Sequence, residues 1–171
     1  LRSLLSCLAL LPVATALGAG EVKLPVYKLA TLPNGAVVAL VEKRDTPLVS
    51  MNITVRGGGL GDPVGKDGTA SLYTDLIQKG AGNRTAALFA EAIENVGGSL
   101  SAGAGTESIG VSASFMSRDV DLMLELVADV LQRPRLDVAE FEKARVLAVQ
   151  SIVAAKDADP RALMSSYGDA W

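Results

Sequence analysis

The chain has 171 residues, 49% of them hydrophobic, 20% charged and 4% aromatic, with a formal net charge of −3. These values suit a globular unit and exclude a nucleic-acid binder built on clustered Lys and Arg or on aromatic stacking platforms. There is no histidine, which removes every imidazole base, triad or metal ligand from these residues, and the single Cys7 has no internal disulfide partner.

Residues 1–20 read as a secretory signal. Arg2 supplies the charge, Leu4 to Leu17 the apolar stretch, and Ala14-Thr15-Ala16 or Leu17-Gly18-Ala19 the small residues of a cleavage site. The run is too short and too rich in Ala and Gly to form a stable membrane span. Leu4-Leu5-Ser6-Cys7 has the outline of a lipoprotein box, but almost nothing apolar precedes Cys7. The expectation is an exported chain, in a bacterial periplasm or outside the cell, whose mature domain is 21–171.

Glu21 to Ala30 alternates polar and apolar residues and runs into Asn34-Gly35, a tight hairpin turn; Ala36 to Glu42 then reads as a strand. Asp45-Thr46-Pro47 interrupts the pattern, and Leu48 to Arg56 is a further strand. Gly57-Gly58-Gly59 opens a flexible loop. It is no phosphate loop, because no G-K-[ST] follows at the required spacing. Gly68 to Gly80 reads as a helix with Leu72, Tyr73, Leu76 and Ile77 on its apolar side. Ser71, Thr74, Asp75 and Gln78 stand at i, i+3, i+4 and i+7, which predicts one polar face. Of the four, only Asp75 carries a group that zinc favours.

Thr85 is the expected N-cap of a helix over Ala86 to Val96, closed by Gly97-Gly98. Ser99 to Ala104 and Ser108 to Met116 read as strands. Ser117-Arg118-Asp119 is the expected cap of a helix from Val120 to Gln132, which Pro134 stops. Asp137 opens another helix, with Phe141, Ala144, Val146, Leu147, Ile152 and Val153 as its expected buried side. Asp157-Ala158-Asp159-Pro160 reads as a break before a last helical piece from Arg161. The β-β-α-α-β-β-α-α order predicts an α+β sandwich with an antiparallel or mixed sheet, not a βαβ nucleotide fold.

Several phrases resemble the insulinase/pitrilysin-type peptidases, in order and spacing across Leu29 to Pro160. They are Leu32-Pro33-Asn34-Gly35, Val55-Arg56-Gly57-Gly58, Gly80-Ala81-Gly82-Asn83-Arg84-Thr85, Glu94-Asn95-Val96-Gly97-Gly98-Ser99-Leu100 and Phe141-Glu142-Lys143. That family carries the inverted zinc motif H-x-x-E-H on a helix. Aligned on Gly68 and Lys79-Gly80, the resemblance puts the two histidines at Ser71 and Asp75 and the glutamate at Thr74. The family's third ligand falls at Ser151, and an accompanying glutamate at Ala144. The resemblance therefore implies an insulinase-like half-domain, cut short at its C-terminal end, in which the ligands and the base are replaced. No catalytic residue, metal or cofactor is expected in this chain, and zinc only in an active partner subunit.

A replacement site from Asp75, Glu107, Glu140 and Glu142 would suit Ca²⁺ or Mg²⁺ better than zinc, yet no D-x-D-x-D-G run supports one. Arg84 and Asp75 are candidates for a structural ion pair. In active relatives, the strand after the second helix offers an edge to which substrate adds as an extra strand. The matching residues here are Ser99, Leu100, Ser101 and Ala102; the alternative is an edge strand that merely packs against a helix. The expected function is that of a non-catalytic exported homologue, pairing with an active zinc-bearing subunit to form a chamber for peptide or unfolded polypeptide. The alternatives are a stand-alone peptide-binding or assembly module, and an active metallopeptidase with an atypical site, which the lack of histidine opposes.

Overall fold

A computed structural model of the chain describes residues 25–158, which separate into two compact units divided between Arg44 and Asp45. The signal expected over residues 1–20 and the helical piece expected from Arg161 lie outside the described residues. The first unit is an antiparallel hairpin of β1 (Tyr27–Thr31) and β2 (Val37–Val41), in register from Tyr27 opposite Val41 to Thr31 opposite Val37. Asn34-Gly35 makes the turn as expected. Gly35 has φ 83°, and the Asn34 Oδ1 accepts from the Ala36 N–H at 3.1 Å.

The second unit runs β3 (Leu48–Arg56), α1 (Thr69–Ile77), β4 (Gly80–Ala81), β5 (Arg84–Thr85), α2 (Ala86–Glu94), β6 (Ser99–Ala104), β7 (Ser108–Met116), α3 (Val120–Gln132) and α4 (Val138–Ala158). Three strands form an antiparallel sheet in the order β3-β7-β6. The α+β class and the blockwise order expected from the sequence hold. The three extended segments read ahead of the first helix are β1, β2 and β3, one more than the leading β-β of the summarised order, and Gly80 to Thr85 forms a two-residue ribbon instead of a plain loop. Gly80 at φ 111° and Gly82 at φ 56° turn that backbone sharply enough to pair.

Alternation along β7 decides where the core sits. Val111, Ala113 and Phe115 are buried on one face, joined there by Ile77 of α1, Phe89 of α2 and Met123, Leu126 and Val130 of α3. The middle of the other face is polar: the Ser112 hydroxyl donates to Asn52 Oδ1 at 2.8 Å, and Ser50 and Ser114 hydroxyls meet at 3.1 Å. Gly98, just after α2, leaves room for the Phe115 ring; a Cβ there would stand 2.5 Å from a ring carbon.

Both ends of α2 follow the sequence expectation. The Thr85 hydroxyl accepts from the Leu88 N–H at 3.5 Å, and Gly97 at φ 64° closes a Schellman turn, with Gly98 N–H bonded to Ile93 carbonyl and Gly97 N–H to Glu94 carbonyl. Thr85→Ala is expected to destabilise the chain by about 1 kcal/mol, measured by urea unfolding, with Thr85→Ser close to wild type. Ser117–Asp119, expected as a cap, is instead a short 3-10 turn that makes no side-chain cap bond to α3.

The last helix differs most from expectation. α4 continues through Asp157 and Ala158, where a break was expected. Phe141 and Ala144 are half-buried, but Val146, Leu147, Ile152 and Val153, expected on a buried side, are exposed, Leu147 by 65%. α4 packs against α1 across an open cleft, so Leu147 lines that cleft while still exposed, and among the described residues nothing closes over Val146, Ile152 and Val153.

Arg84 does not pair with Asp75. It reaches Glu125 at 2.9 Å and the buried Asp129 at 3.5 Å, and Arg133 Nε donates to the same Asp129 carboxylate at 3.1 Å. A buried carboxylate needs such partners, and Gly82 makes room for this one, since a Cβ there would lie 2.3 Å from Asp129 Oδ2. Arg84 is thereby a structural residue that ties the β4–β5 ribbon to α3.

Candidate functional site

The approach to α1 is built by backbone. Gly57, Gly59 and Leu60 N–H groups donate to the carbonyls of Glu107, Gly105 and Thr106 in the β6–β7 turn, at 2.9, 3.0 and 2.9 Å. Gly58 must be glycine for this contact: its φ is 78°, and a Cβ would stand 2.3 Å from the Gly105 carbonyl oxygen. Asp62 then caps α1, one oxygen accepting from Gly68 N–H at 2.7 Å and the other from Ala70 N–H at 2.8 Å. The sequence reading did not find this cap, because Asp62 lies six residues ahead of Gly68 rather than at the N-cap itself.

The polar face expected on α1 is split. Ser71 and Asp75 are exposed, but Thr74 is 2% exposed and its hydroxyl donates to the Ser71 carbonyl at 2.8 Å. Gln78 is half-buried. At about 100° per residue, positions i, i+3, i+4 and i+7 fan over roughly 100° of the helix surface, and the border between core and solvent cuts through that fan. Thr74 falls on the core side, where its hydroxyl is satisfied by its own helix.

Across from α1, Ser151 stands on α4, its hydroxyl donating to the Ala148 carbonyl at 2.8 Å. A cleft of about 720 Å³ lies between the helices, and Ser71, Asp75, Ala144 and Ser151 all line it, with Gln78 and Lys79 on its α1 wall. Residues 69 to 80 positions apart in sequence thus meet in one place, while Thr74 does not join them. Glu140 and Lys143 also line the cleft. Their contact is 2.7 Å, and the Glu140 hydrogen bond and negative charge hold the Lys143 ammonium above its usual pKa. An apolar hollow of about 480 Å³ lies alongside, between α1 and the start of α4, with Leu72, Tyr73 and Phe141 in its wall.

The cleft's donors do not fit zinc. Ser71 and Ser151 offer neutral hydroxyls and Asp75 a single carboxylate, whereas zinc takes imidazole, thiolate or carboxylate in sets of three or four. Of the four carboxylates named as a substitute, only Asp75 and Glu140 share the cleft, too few for a metal site. Glu140 faces Lys143, Glu142 pairs with Arg145 at 2.8 Å, and Glu107 sits in the β6–β7 turn. Among the described residues no three His, Cys, Asp or Glu side chains are grouped to hold a metal ion.

β6 forms one edge of the sheet. Its backbone phase follows from the turn: Gly105 N–H donates to Ser108 carbonyl at 2.8 Å, so Gly105 and Ser108 are a closely bonded pair. Counting back by the antiparallel register, Gly103, Ser101 and Ser99 also turn their N–H and C=O groups to β7. Ala104, Ala102 and Leu100 therefore point theirs outward along the edge. Of the four residues read from the sequence as an edge for peptide, Leu100 and Ala102 present backbone groups there. Ser99 and Ser101 give theirs to β7 and keep their side chains on the exposed face. One outward group is already taken: Gln78 Nε2 donates to the Ala102 carbonyl at 3.1 Å.

A three-stranded antiparallel sheet covered on one face by helices, with α1 and α4 framing a cleft beside its edge strand, defines an α+β unit. Residues 37–167 match the family model described as Insulinase (Peptidase family M16), and the chain belongs to that family. It is 32% identical over 130 residues to an uncharacterised zinc protease of Mycobacterium leprae, covering 76% of this chain and 29% of the relative. It is 26% identical over 121 residues to the mitochondrial-processing peptidase subunit beta of Lentinula edodes, covering 71% and 26%. In fold it resembles a protease from Helicobacter pylori, with TM-score 0.67 at 24% identity over 75% of this chain and 31% of the other. It also resembles a peptidase M16 inactive domain from Pseudomonas fluorescens, with TM-score 0.59 at 21% identity over 70% and 29%. The chain spans about a quarter to a third of the length of the curated relatives it matches.

Proposed function

We propose that this chain is a non-catalytic, exported member of the insulinase family that pairs with an active, zinc-bearing subunit and helps to form the chamber in which peptide or unfolded polypeptide is held. One observation carries the reading. Ser71, Asp75 and Ser151, at the positions where the resemblance puts the family's metal ligands, line a single cleft, and their donors do not fit zinc. The fourth position, Thr74, has its hydroxyl turned into its own helix, so no general base faces the cleft from there. The naming of relatives agrees with this reading: one solved fold neighbour is an inactive domain, and two kinds of relative are named as subunits. Export rests on the signal-like residues 1–20, and the β6 edge is the part of the site that remains able to engage a polypeptide, by strand addition.

Two measurements test this. The purified chain is expected to retain no stoichiometric zinc after dialysis; near one zinc per chain, lost in Asp75→Ala, would contradict the reading. Co-expressed with a histidine-bearing insulinase-type protein encoded in the same genome, it is expected to co-purify with it and to raise its chelator-sensitive peptide cleavage. A partner that is fully active alone and does not bind this chain would refute the pairing.

A further inference from the structure

Gln78 is the one polar side chain of α1 that both lines the cleft and touches the sheet edge. Its Nε2 carries two hydrogens and places both: one on the Thr74 carbonyl of its own helix at 2.8 Å, the other on the Ala102 carbonyl, 24 residues away, at 3.1 Å. Ala102 lies opposite Val111 in a pair that exchanges no hydrogen bonds with β7, so this carbonyl belongs to the outward-facing edge. An extended peptide that adds to β6 bonds through the N–H and C=O groups of Leu100, Ala102 and Ala104. The middle acceptor of that row is filled before any peptide arrives.

We propose that Gln78 is a built-in competitor for the β6 edge: its carboxamide holds the Ala102 carbonyl that an incoming extended strand needs, so peptide entry displaces Gln78 and this side chain limits affinity at the edge. The inference rests on the strand-addition reading above. The occupant is an extended peptide because the edge offers alternating backbone donors and acceptors at strand spacing, with uncharged Ser99, Ser101 and Gly103 on the exposed face beside it. A side chain that must be released and then re-satisfied by water lowers affinity by about the worth of one hydrogen bond, which corresponds to about a three- to tenfold effect. Gln78 also shields an edge that other chains would otherwise extend.

The test is binding of a fluorescent, uncharged Thr/Val-rich octapeptide to the full chain by anisotropy, with thermal unfolding of every variant alongside. Gln78→Met keeps the length and removes the donor, and Gln78→Asn keeps the amide but falls one methylene short of Ala102. Both are expected to bind about three- to tenfold more tightly than wild type, and the gain is expected to vanish with a peptide N-methylated at alternate residues, which lacks the donors for the freed carbonyl. Equal affinity of wild type and both variants would overturn the role of Gln78 and leave strand addition standing. No binding by wild type or by either folded variant would overturn strand addition itself, and this inference with it.

Discussion

Phe115→Ala is expected to lower the unfolding free energy by about 3–5 kcal/mol, the range for removing a fully buried aromatic ring. Phe115 has no exposed surface and belongs to the central strand, opposite Val49 of β3 and just past the end of the β6 pairing, while helices cover its face. The ring also fills the space left by Gly98, where a Cβ would be 2.5 Å away, so no neighbouring side chain stands ready to collapse into the hole. Urea unfolding at constant m-value is the measurement. Leu147→Ala is the control: the deleted atoms come from a residue 65% exposed, and the expected change is under about 0.5 kcal/mol. A loss below about 1 kcal/mol for Phe115→Ala, or equal losses for the two variants, would mean that the sheet and helices do not share the core described here.

The elements the sequence announced best are those whose signals are local. The boundaries of β6 and β7 agree with the expected ones because period-2 alternation is framed by Gly97-Gly98 on one side and the Gly105 turn between them. α3 matches because a strong apolar periodicity ends at Gln132, two residues before Pro134. What the sequence did not reveal depends on which neighbour covers a face. Thr74 and Asp75 are adjacent in sequence and both polar, yet only the uncharged Thr74 is buried, because which side of α1 the core covers is not written in the polar pattern. Val146, Leu147, Ile152 and Val153 have the pattern of a core face, but among the described residues no element closes over them. The partners of Arg84 lie 41 and 45 residues away on α3, beyond any local pattern.

The site shows the same division. Ser71, Asp75 and Ser151 came from the family resemblance and not from their chemistry, since two serines and one aspartate have no signature of their own. The structure places these three around one cleft and leaves Thr74 out of it. Gln78 was legible as a polar position of α1, but its bond to Ala102 depends on how β6 lies beside the helix. The phase of the β6 backbone likewise required the Gly105–Ser108 bond, because a strand's side-chain alternation does not say which carbonyls point to its partner.

That phase makes a pair of proline substitutions the most informative probe of what the chain is for. Ala102→Pro is expected to leave the chain folded, because the N–H it removes points to the open edge and not to β7, the one setting in which a strand tolerates proline. Ser101→Pro, one residue earlier, removes an N–H bonded to Ser112 and is expected to unfold β6 from the sheet. If the edge is where polypeptide is engaged, Ala102→Pro should weaken peptide binding, and the activity of the paired peptidase with it, by at least about tenfold, since one donor is lost and the ring stands in the path of the incoming backbone. Asp75→Asn changes only the exposed carboxylate of the cleft and is expected to leave the paired activity near wild type. Thermal unfolding of Ala102→Pro within a few degrees of wild type separates a blocked edge from a damaged fold. Full activity in Ala102→Pro together with loss in Asp75→Asn would sink the edge reading and return the function to the cleft between α1 and α4.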